Sequence, residues 1–133
     1  MNIAVAVKVV PDDQDIVVAS DRTLDYSKAH QIVSEYDLNA IEAATLLAEA
    51  TGATLYAISA SNAKADDLKV KKSILSRGPA ELRLIADDAF QFADARTTAR
   101  ALAKLVEGIG NVDLIVCGDG SADMYAGQVD VQL

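Results

Sequence analysis

Short apolar runs alternate with amphipathic stretches along this chain. Four runs rich in β-branched and aliphatic residues predict strands over residues 3–10, 54–61, 81–86 and 112–117. The first run is apolar at almost every position, which is typical of a strand buried on both faces, and Pro11 stops it. We expect this run to form the first, central strand of a sheet.

The spacing of apolar residues between these runs predicts helices. Asp37 is a candidate N-cap for the first helix, and Gly52 stands where a C-cap belongs. The second helix is predicted over residues 65–77, before a Gly-Pro pair, and Asp94 can cap the third. We therefore expect a helix after each of the first three strands.

The segment between the first strand and the first helix has a weaker pattern. Residues 16–19 and 31–33 are β-prone and lie on either side of a turn-rich stretch at 20–22. We expect a hairpin or a short excursion from the main sheet here.

The alternation of strands and helices predicts an α/β fold of the Rossmann-like kind. Right-handed crossovers would place a mostly parallel sheet between helices in three α/β/α layers, an architecture shared with adenine nucleotide α-hydrolase-like proteins. We expect one nucleotide-binding domain over residues 1–133. A helical pattern is only beginning as the chain ends, so we expect it to be the N-terminal part of a longer protein.

Charge and composition narrow the possible partners. Twelve basic and twenty acidic residues give a net charge of −8, which repels nucleic acid and anionic lipid alike. The lysines at 69, 71 and 72 cluster without neighbouring aromatic residues, and we interpret them as a solvated helix face. No apolar run approaches the roughly 20 residues of a membrane span, so we expect no membrane insertion.

The single cysteine, Cys117, excludes an internal disulfide and a thiolate zinc cluster. It ends an apolar strand, where a buried free thiol usually acts as a small apolar group. The first residues lack the basic and long apolar regions of a signal peptide, which favours a cytoplasmic location.

Ligands of open parallel sheets bind beyond the carboxyl ends of the strands. Small residues dominate the predicted ends and would let a flat base or a phosphate approach the backbone: Ala6, Ser59, Ala60, Gly118, Gly120 and Ser121. A helix opening near residues 121–125 would direct free amides and the positive end of its dipole at an anion. A tight strand-to-helix turn explains the glycines equally well, so the pattern permits a nucleotide without requiring one.

Two phosphate-binding motifs are absent. Asp123 stands where the dinucleotide fingerprint that would begin at Gly118 requires a glycine, and no GxxxxGK[ST] loop occurs. These absences favour nucleotide binding over P-loop hydrolysis.

Candidates for catalysis and metal binding are weak. His30 is the only histidine, and its nearness in sequence to Asp25 and Ser27 is commonplace in loops. The aspartates within residues 12–15 lack the glycine and terminal glutamate of a calcium loop. We expect no catalytic and no metal-ligating residues.

Four segments in order resemble one known family. They are residues 6–12 (AVKVVPD), 36–44 (YDLNAIEAA), 75–79 (LSRGP) and 117–129 (CGDGSADMYAGQV). Together they resemble the β subunit of electron transfer flavoproteins, FixA type, over essentially the whole chain.

The resemblance implies a heterodimer with an α subunit of the FixB kind, FAD held largely by that subunit, and AMP or a second FAD in the β subunit. It implies an electron carrier without turnover of its own, working between a dehydrogenase and a redox acceptor. Carried over by position, the cofactor-binding residues are Ala6, Ser34, Tyr36, Asp37, Ala60, Gly118, Gly120, Ser121, Asp123, Gly127 and Gln128.

One departure from the family leaves the nucleotide open. Residues 34–37 read SEYD, where the family usually has Asn-Pro-Phe followed by Asp or Cys. Two rival functions also remain: a stand-alone homodimer that binds an adenine nucleotide, in the manner of stress proteins, and a small nicotinamide-dependent enzyme. Co-purification with a yellow partner subunit would count against the homodimer, and turnover of a reduced nicotinamide by this chain alone would favour the enzyme.

Overall fold

The computed structural model describes residues 1–133 and has eight strands and four α-helices. The strands are β1 (Asn2–Ala6), β2 (Val9–Pro11), β3 (Val17–Val18), β4 (Leu24–Asp25), β5 (Gln31–Val33), β6 (Thr54–Ser61), β7 (Glu81–Ala86) and β8 (Val112–Cys117). The helices are α1 (Glu35–Thr51), α2 (Leu68–Leu75), α3 (Ala95–Ile109) and α4 (Val129–Gln132). Three single 3-10 turns lie at Asp13–Asp15, Ala63–Ala65 and Asp88–Phe90.

The main sheet has four parallel strands in the order β7-β6-β1-β8. Its central strand, β1, buries side chains on both faces because neighbouring residues point in opposite directions. Ile3 and Val5 pack with α1 and α2 on one face, whereas Ala4 and Ala6 pack with α3 on the other. The predicted α/β fold, with a parallel sheet between helices and β1 inside it, is confirmed.

The predicted strand over residues 3–10 is wrong in its length. β1 ends at Ala6, and the next apolar residues form β2, which pairs antiparallel with β5 in a separate small sheet. The chain turns away at Lys8, whose backbone N–H donates to the Asp37 carboxylate at 2.6 Å instead of to a strand. Val9 and Val10 are nevertheless buried, so the apolar pattern runs unbroken through the change of sheet.

The irregular segment that follows forms the expected hairpin. β3 pairs antiparallel with β4, and Arg22, in the turn between them, has a φ of 67°. The second β-prone piece is β5, which pairs with β2 and not with the hairpin.

The helix starts needed two corrections. α1 begins at Glu35, so Ser34 precedes it and Asp37 lies within its first turn instead of capping it. α2 begins at Leu68, where the Asp67 carboxylate accepts from the Lys69 and Val70 amides, and it ends at Leu75. The caps at Gly52 and Asp94 are confirmed.

The helix expected to open near residues 121–125 does not form. The Tyr125 N–H donates to the Ser121 carbonyl, but Tyr125 then adopts a φ of 44°, which a right-handed helix cannot continue. Regular helix begins only at Val129 and lasts four residues. The argument that a helix dipole binds an anion at 121–125 is therefore withdrawn.

None of the helices is both long enough and apolar enough to cross a membrane.

Gly78 gives a stability prediction because a side chain has no room there. It has a φ of +132°, and an added Cβ would collide with the Thr45 side chain, whose hydroxyl donates to the Arg77 carbonyl at 3.0 Å. We expect Gly78→Ala to lower the free energy of unfolding by at least about 2 kcal/mol, from backbone strain and overpacking together.

Gly108 supplies the matched control, since it lies in α3 with nothing within 4 Å of an added Cβ. Gly108→Ala should stabilise by about 0.5–1 kcal/mol. Urea unfolding measures both variants, and equal effects of the two substitutions would contradict the steric account.

Candidate functional site

A cleft of about 450 Å³ lies at the carboxyl ends of β1, β6 and β8. Successive crossovers place β6 and β7 on one side of β1 and β8 on the other, so the strand order reverses between β1 and β8. Ala6 and Cys117, at the ends of these two strands, are register partners. The cleft therefore occupies the position where open α/β sheets bind ligands.

A second depression, of about 680 Å³, follows the outer edge of β7, between that strand and α2. It is wider and more open, and it lies along a sheet edge instead of at the strand ends. We therefore take the cleft at the switch point as the candidate site.

The structure brings nine of the eleven predicted cofactor-binding residues to the walls of this cleft: Ala6, Asp37, Ala60, Gly118, Gly120, Ser121, Asp123, Gly127 and Gln128. Ser34 and Tyr36 do not line it. The Ser34 hydroxyl is fully buried and accepts from the Ala122 N–H at 3.1 Å, while the Tyr36 ring packs on Tyr125 with centroids 5.2 Å apart. These two residues hold the 118–128 loop from behind, and a direct role of any of the eleven in binding stays a prediction.

Asp37 joins three segments of the site. Its buried carboxylate accepts from the Lys8 backbone N–H at 2.6 Å and from that of Gly118. Burial raises the pKa of Asp37 to about 6, and these amide hydrogen bonds and the Lys8 charge offset only part of that rise. Asp37 therefore links the end of β1, the start of α1 and the end of β8.

Gly118 is needed for this junction. A Cβ added there would lie 2.5 Å from the Asp37 Oδ1 atom and 3.2 Å from the Tyr36 carbonyl carbon. The glycine thus allows β8 and α1 to approach each other. The sequence pattern had suggested instead that it leaves room for a ligand.

Lys8 is the main functional candidate that sequence reasoning missed. Its Nζ lies 2.7 Å from the Asp123 carboxylate and 3.3 Å from the Ser121 hydroxyl, so it ties the loop to the end of β1. Burial works to raise the pKa of Asp123, but hydrogen bonds from Lys8 and Ser121 and the Lys8 charge outweigh it and hold that pKa below its usual value. The available signal was a lone basic residue two positions after the end of a central strand.

Unused hydrogen-bonding groups also face the cleft. The Gln31 Oε1 atom is buried without a partner, and Gln31 lines the cleft. The backbone N–H groups of Gly120, Gly127 and Gln128 take no part in the backbone hydrogen bonds of the chain. Together with Lys8, these groups could hold an anionic ligand that also carries a donor.

A further wall was also missed. Residues 90–95, between the third 3-10 turn and α3, line the cleft opposite the 118–128 loop, and Phe90 and Phe92 are among them. Ser59, by contrast, is fully buried beneath the cleft, where its hydroxyl lies 3.1 Å from that of Ser61. Its small size therefore serves packing and not ligand approach.

The weak catalytic candidates stay apart from the cleft. The exposed His30 Nδ1 pairs with Asp15 at 2.6 Å, whereas Asp25 accepts from the Ser27 N–H. His30, Asp25 and Ser27 thus form no hydrogen-bonded relay. Lys71, in the basic cluster, pairs with Asp66.

Cys117 lines the cleft as a thiol. Burial, together with the nearby Asp130 and Asp37 carboxylates, raises the pKa of Cys117 to about 11. The side chain is therefore protonated at neutral pH and weakly nucleophilic.

Asp37 gives a pH prediction. Its pKa is about 6 in the folded chain against an ordinary 3.8, so folding favours the protonated form. The stability this contributes, about 2–3 kcal/mol, is fully present below pH 4 and is lost as the pH rises through 6. Asp37→Asn should remove that dependence, since its amide does not titrate.

Urea unfolding of wild type and Asp37→Asn between pH 4.5 and 7.5 measures this effect. Other carboxyl groups titrate equally in both proteins, so the difference between the two curves isolates Asp37. Glu49→Gln, on the exposed face of the same helix, should leave the wild-type curve unchanged. Parallel curves for wild type and Asp37→Asn would refute the assignment.

Comparison with known protein families gives a match over most of the chain. The model described as "Electron transfer flavoprotein domain" matches residues 21–131, a range that includes the hairpin, β8 and the 118–128 loop. This family is associated with flavin and with electron transfer. The four-strand parallel sheet flanked by helices agrees with such a domain. The chain therefore belongs to the electron transfer flavoprotein domain family.

Proposed function

We propose that this protein is the β subunit, FixA type, of an electron transfer flavoprotein in the cytoplasm. It would pair with an α subunit and pass electrons from a dehydrogenase to a redox acceptor through FAD shared with that subunit. The cleft would hold an adenine nucleotide, either AMP or a second FAD. The family match and the four resembling segments support this proposal.

The observation that carries the proposal is the composition of the cleft at the switch point. Ala6 and Ala60 form small apolar walls, which suit the faces of a flat base. The Lys8 ammonium and the free loop amides stand at the 118–128 side, which suits a phosphate. A nucleotide combines these two requirements in one molecule.

The orphaned Gln31 Oε1 atom supplies an independent test of fit. A buried acceptor without a partner costs about 1–3 kcal/mol, which a ligand donor can relieve. Adenine and ribose both carry such donors. The residues present therefore fit an adenine nucleotide better than a simple inorganic anion.

Within this proposal the chain acts as a carrier subunit. Bound flavin supplies the redox chemistry, whereas the protein supplies binding, orientation and electrostatics. Asp37 is fully engaged with backbone amides and the Cys117 thiol is protonated, so neither provides an acid–base or thiolate group. This arrangement supports electron transfer without turnover by the subunit itself.

Lys8 provides a direct test of the nucleotide orientation. Lys8→Gln should weaken AMP binding at least tenfold, because a hydrogen bond to a charged group contributes about 1.5–3 kcal/mol and the Asp123 carboxylate would be left facing the phosphate. Adenosine, which has no phosphate, should bind both proteins alike. Isothermal titration calorimetry measures the two ligands, with Lys104→Gln as the control because that exposed lysine pairs with Glu107 far from the cleft. Equal losses for AMP and adenosine would place the phosphate elsewhere.

The bound cofactors test the function itself. We expect the protein co-expressed with its α subunit to release one FAD plus AMP per heterodimer, or two FAD and no AMP, when denatured and examined by mass spectrometry. The second result would favour electron bifurcation. A protein that releases neither flavin nor AMP, or that forms a colourless homodimer, would refute the proposal.

A further inference from the structure

The β3–β4 hairpin presents an apolar surface that its own chain leaves uncovered. Val17, Val18 and Leu24 are 55%, 64% and 51% exposed. The hairpin pairs with no other strand, and an isolated two-stranded hairpin is only marginally stable in water. Its exposed apolar residues are therefore not explained by packing within the chain.

Both faces of the hairpin contribute to this surface. Val18 and Leu24 are register partners, so their side chains share one face, whereas Val17 lies on the other, beside Asp25. A rotation that buried one face against the core would expose the other. The pattern suits a projection held by a partner on more than one side.

The hairpin is also held in shape by the rest of the segment. Within it, the Ala19 N–H donates to the Thr23 carbonyl at 2.8 Å. At its base, the Asp12 N–H donates to the His30 carbonyl at 2.8 Å, and Asp15 pairs with the His30 ring. The surface is thus preformed, which lowers the entropic cost of binding.

Acidic residues surround the apolar centre. Residues 12–25 contain five aspartates and one arginine, which leaves a net charge of −4. Asp21 and Asp25 accept hydrogen bonds from Thr23 and Ser27, which lower the pKa of each carboxyl. The rim is therefore ionised at neutral pH.

This charge selects the kind of partner. A second copy of the chain would present the same acidic rim to itself, and like charges in contact oppose association. Nucleic acid and anionic membranes are repelled for the same reason. A different protein with an apolar centre and a rim of lysine and arginine fits both features.

The hairpin also adjoins the cleft. Pro11, Tyr26 and Gln31, in the segments that lead into and out of the hairpin, line the cleft wall. We infer that the β3–β4 hairpin is a docking surface for the partner subunit, which meets it through an apolar patch flanked by basic residues. This inference rests on the proposed function, because it takes the α subunit as that partner.

Titration of the α subunit against this chain tests the inference. The double variant Val18→Ser, Leu24→Ser should weaken the complex at least tenfold. Asp21→Asn, Asp25→Asn should weaken it less at low salt and reduce its salt dependence. Leu46→Ser is the matched control, because Leu46 is 56% exposed on α1 and away from the hairpin, and it should change nothing.

The outcomes separate the two proposals. Hydrogen exchange of the wild-type complex should show protection of residues 16–25, with circular dichroism confirming that each variant is folded. A normal complex with unchanged affinity in the Val18/Leu24 variant and no protection overturns the docking surface alone. No complex with wild type overturns the heterodimer and the docking surface together, and a homodimer abolished by the Val18/Leu24 variant identifies a second copy as the occupant and overturns the inference.

Discussion

The site depends on one buried carboxylate. Asp37 lies in the first turn of α1 and accepts hydrogen bonds from the backbone amides of Lys8 and Gly118, which follow β1 and β8. These two strands are adjacent in the sheet but more than 100 residues apart in the chain. Without the acceptor, both amides would be left unsatisfied in a region from which water is largely excluded, a cost of about 1–3 kcal/mol for each. The carboxylate thus sets where β1 stops, where the chain turns towards β2 and how closely β8 approaches α1.

The sequence predicted the layers of the fold but not the break in its first strand. Helical and strand periodicities were sufficient for β6, β7, β8 and α3, because each of these elements buries one continuous set of apolar residues. The apolar run at residues 3–10 crosses from one sheet to another without any change of pattern, since Val9 and Val10 are as buried in the small sheet as Ile3 is in the main one. The turn at Lys8 is caused by a side chain 29 residues away, and local patterning carries no record of such a contact.

Predictions for the site divided along the same line. Small residues at strand ends located the cleft, because the carboxyl ends of parallel strands meet at one edge by topology alone. The roles within it were harder to predict: Gly118 relieves a contact between two protein segments, and Ser34 and Tyr36 support the 118–128 loop from outside. Lys8 became visible only after the strand end had been placed at Ala6. The loop itself contains a non-glycine residue with positive φ at Tyr125, and its stacking on Tyr36 and hydrogen bond to Asp119 hold that strained conformation.

The distribution of charge has a kinetic consequence for any nucleotide that reaches the cleft. The chain has a net charge of −8, and the one lysine at the cleft that reaches the loop is already paired with Asp123. An anion approaching from solution therefore meets a repulsive field until it is within a few ångströms of Lys8 and the free amides. Salt screens that long-range repulsion much more than it weakens the short contacts made after entry. Capture of a nucleotide should thus become faster as ionic strength rises, the opposite of the dependence found in enzymes that steer anions with a basic surface.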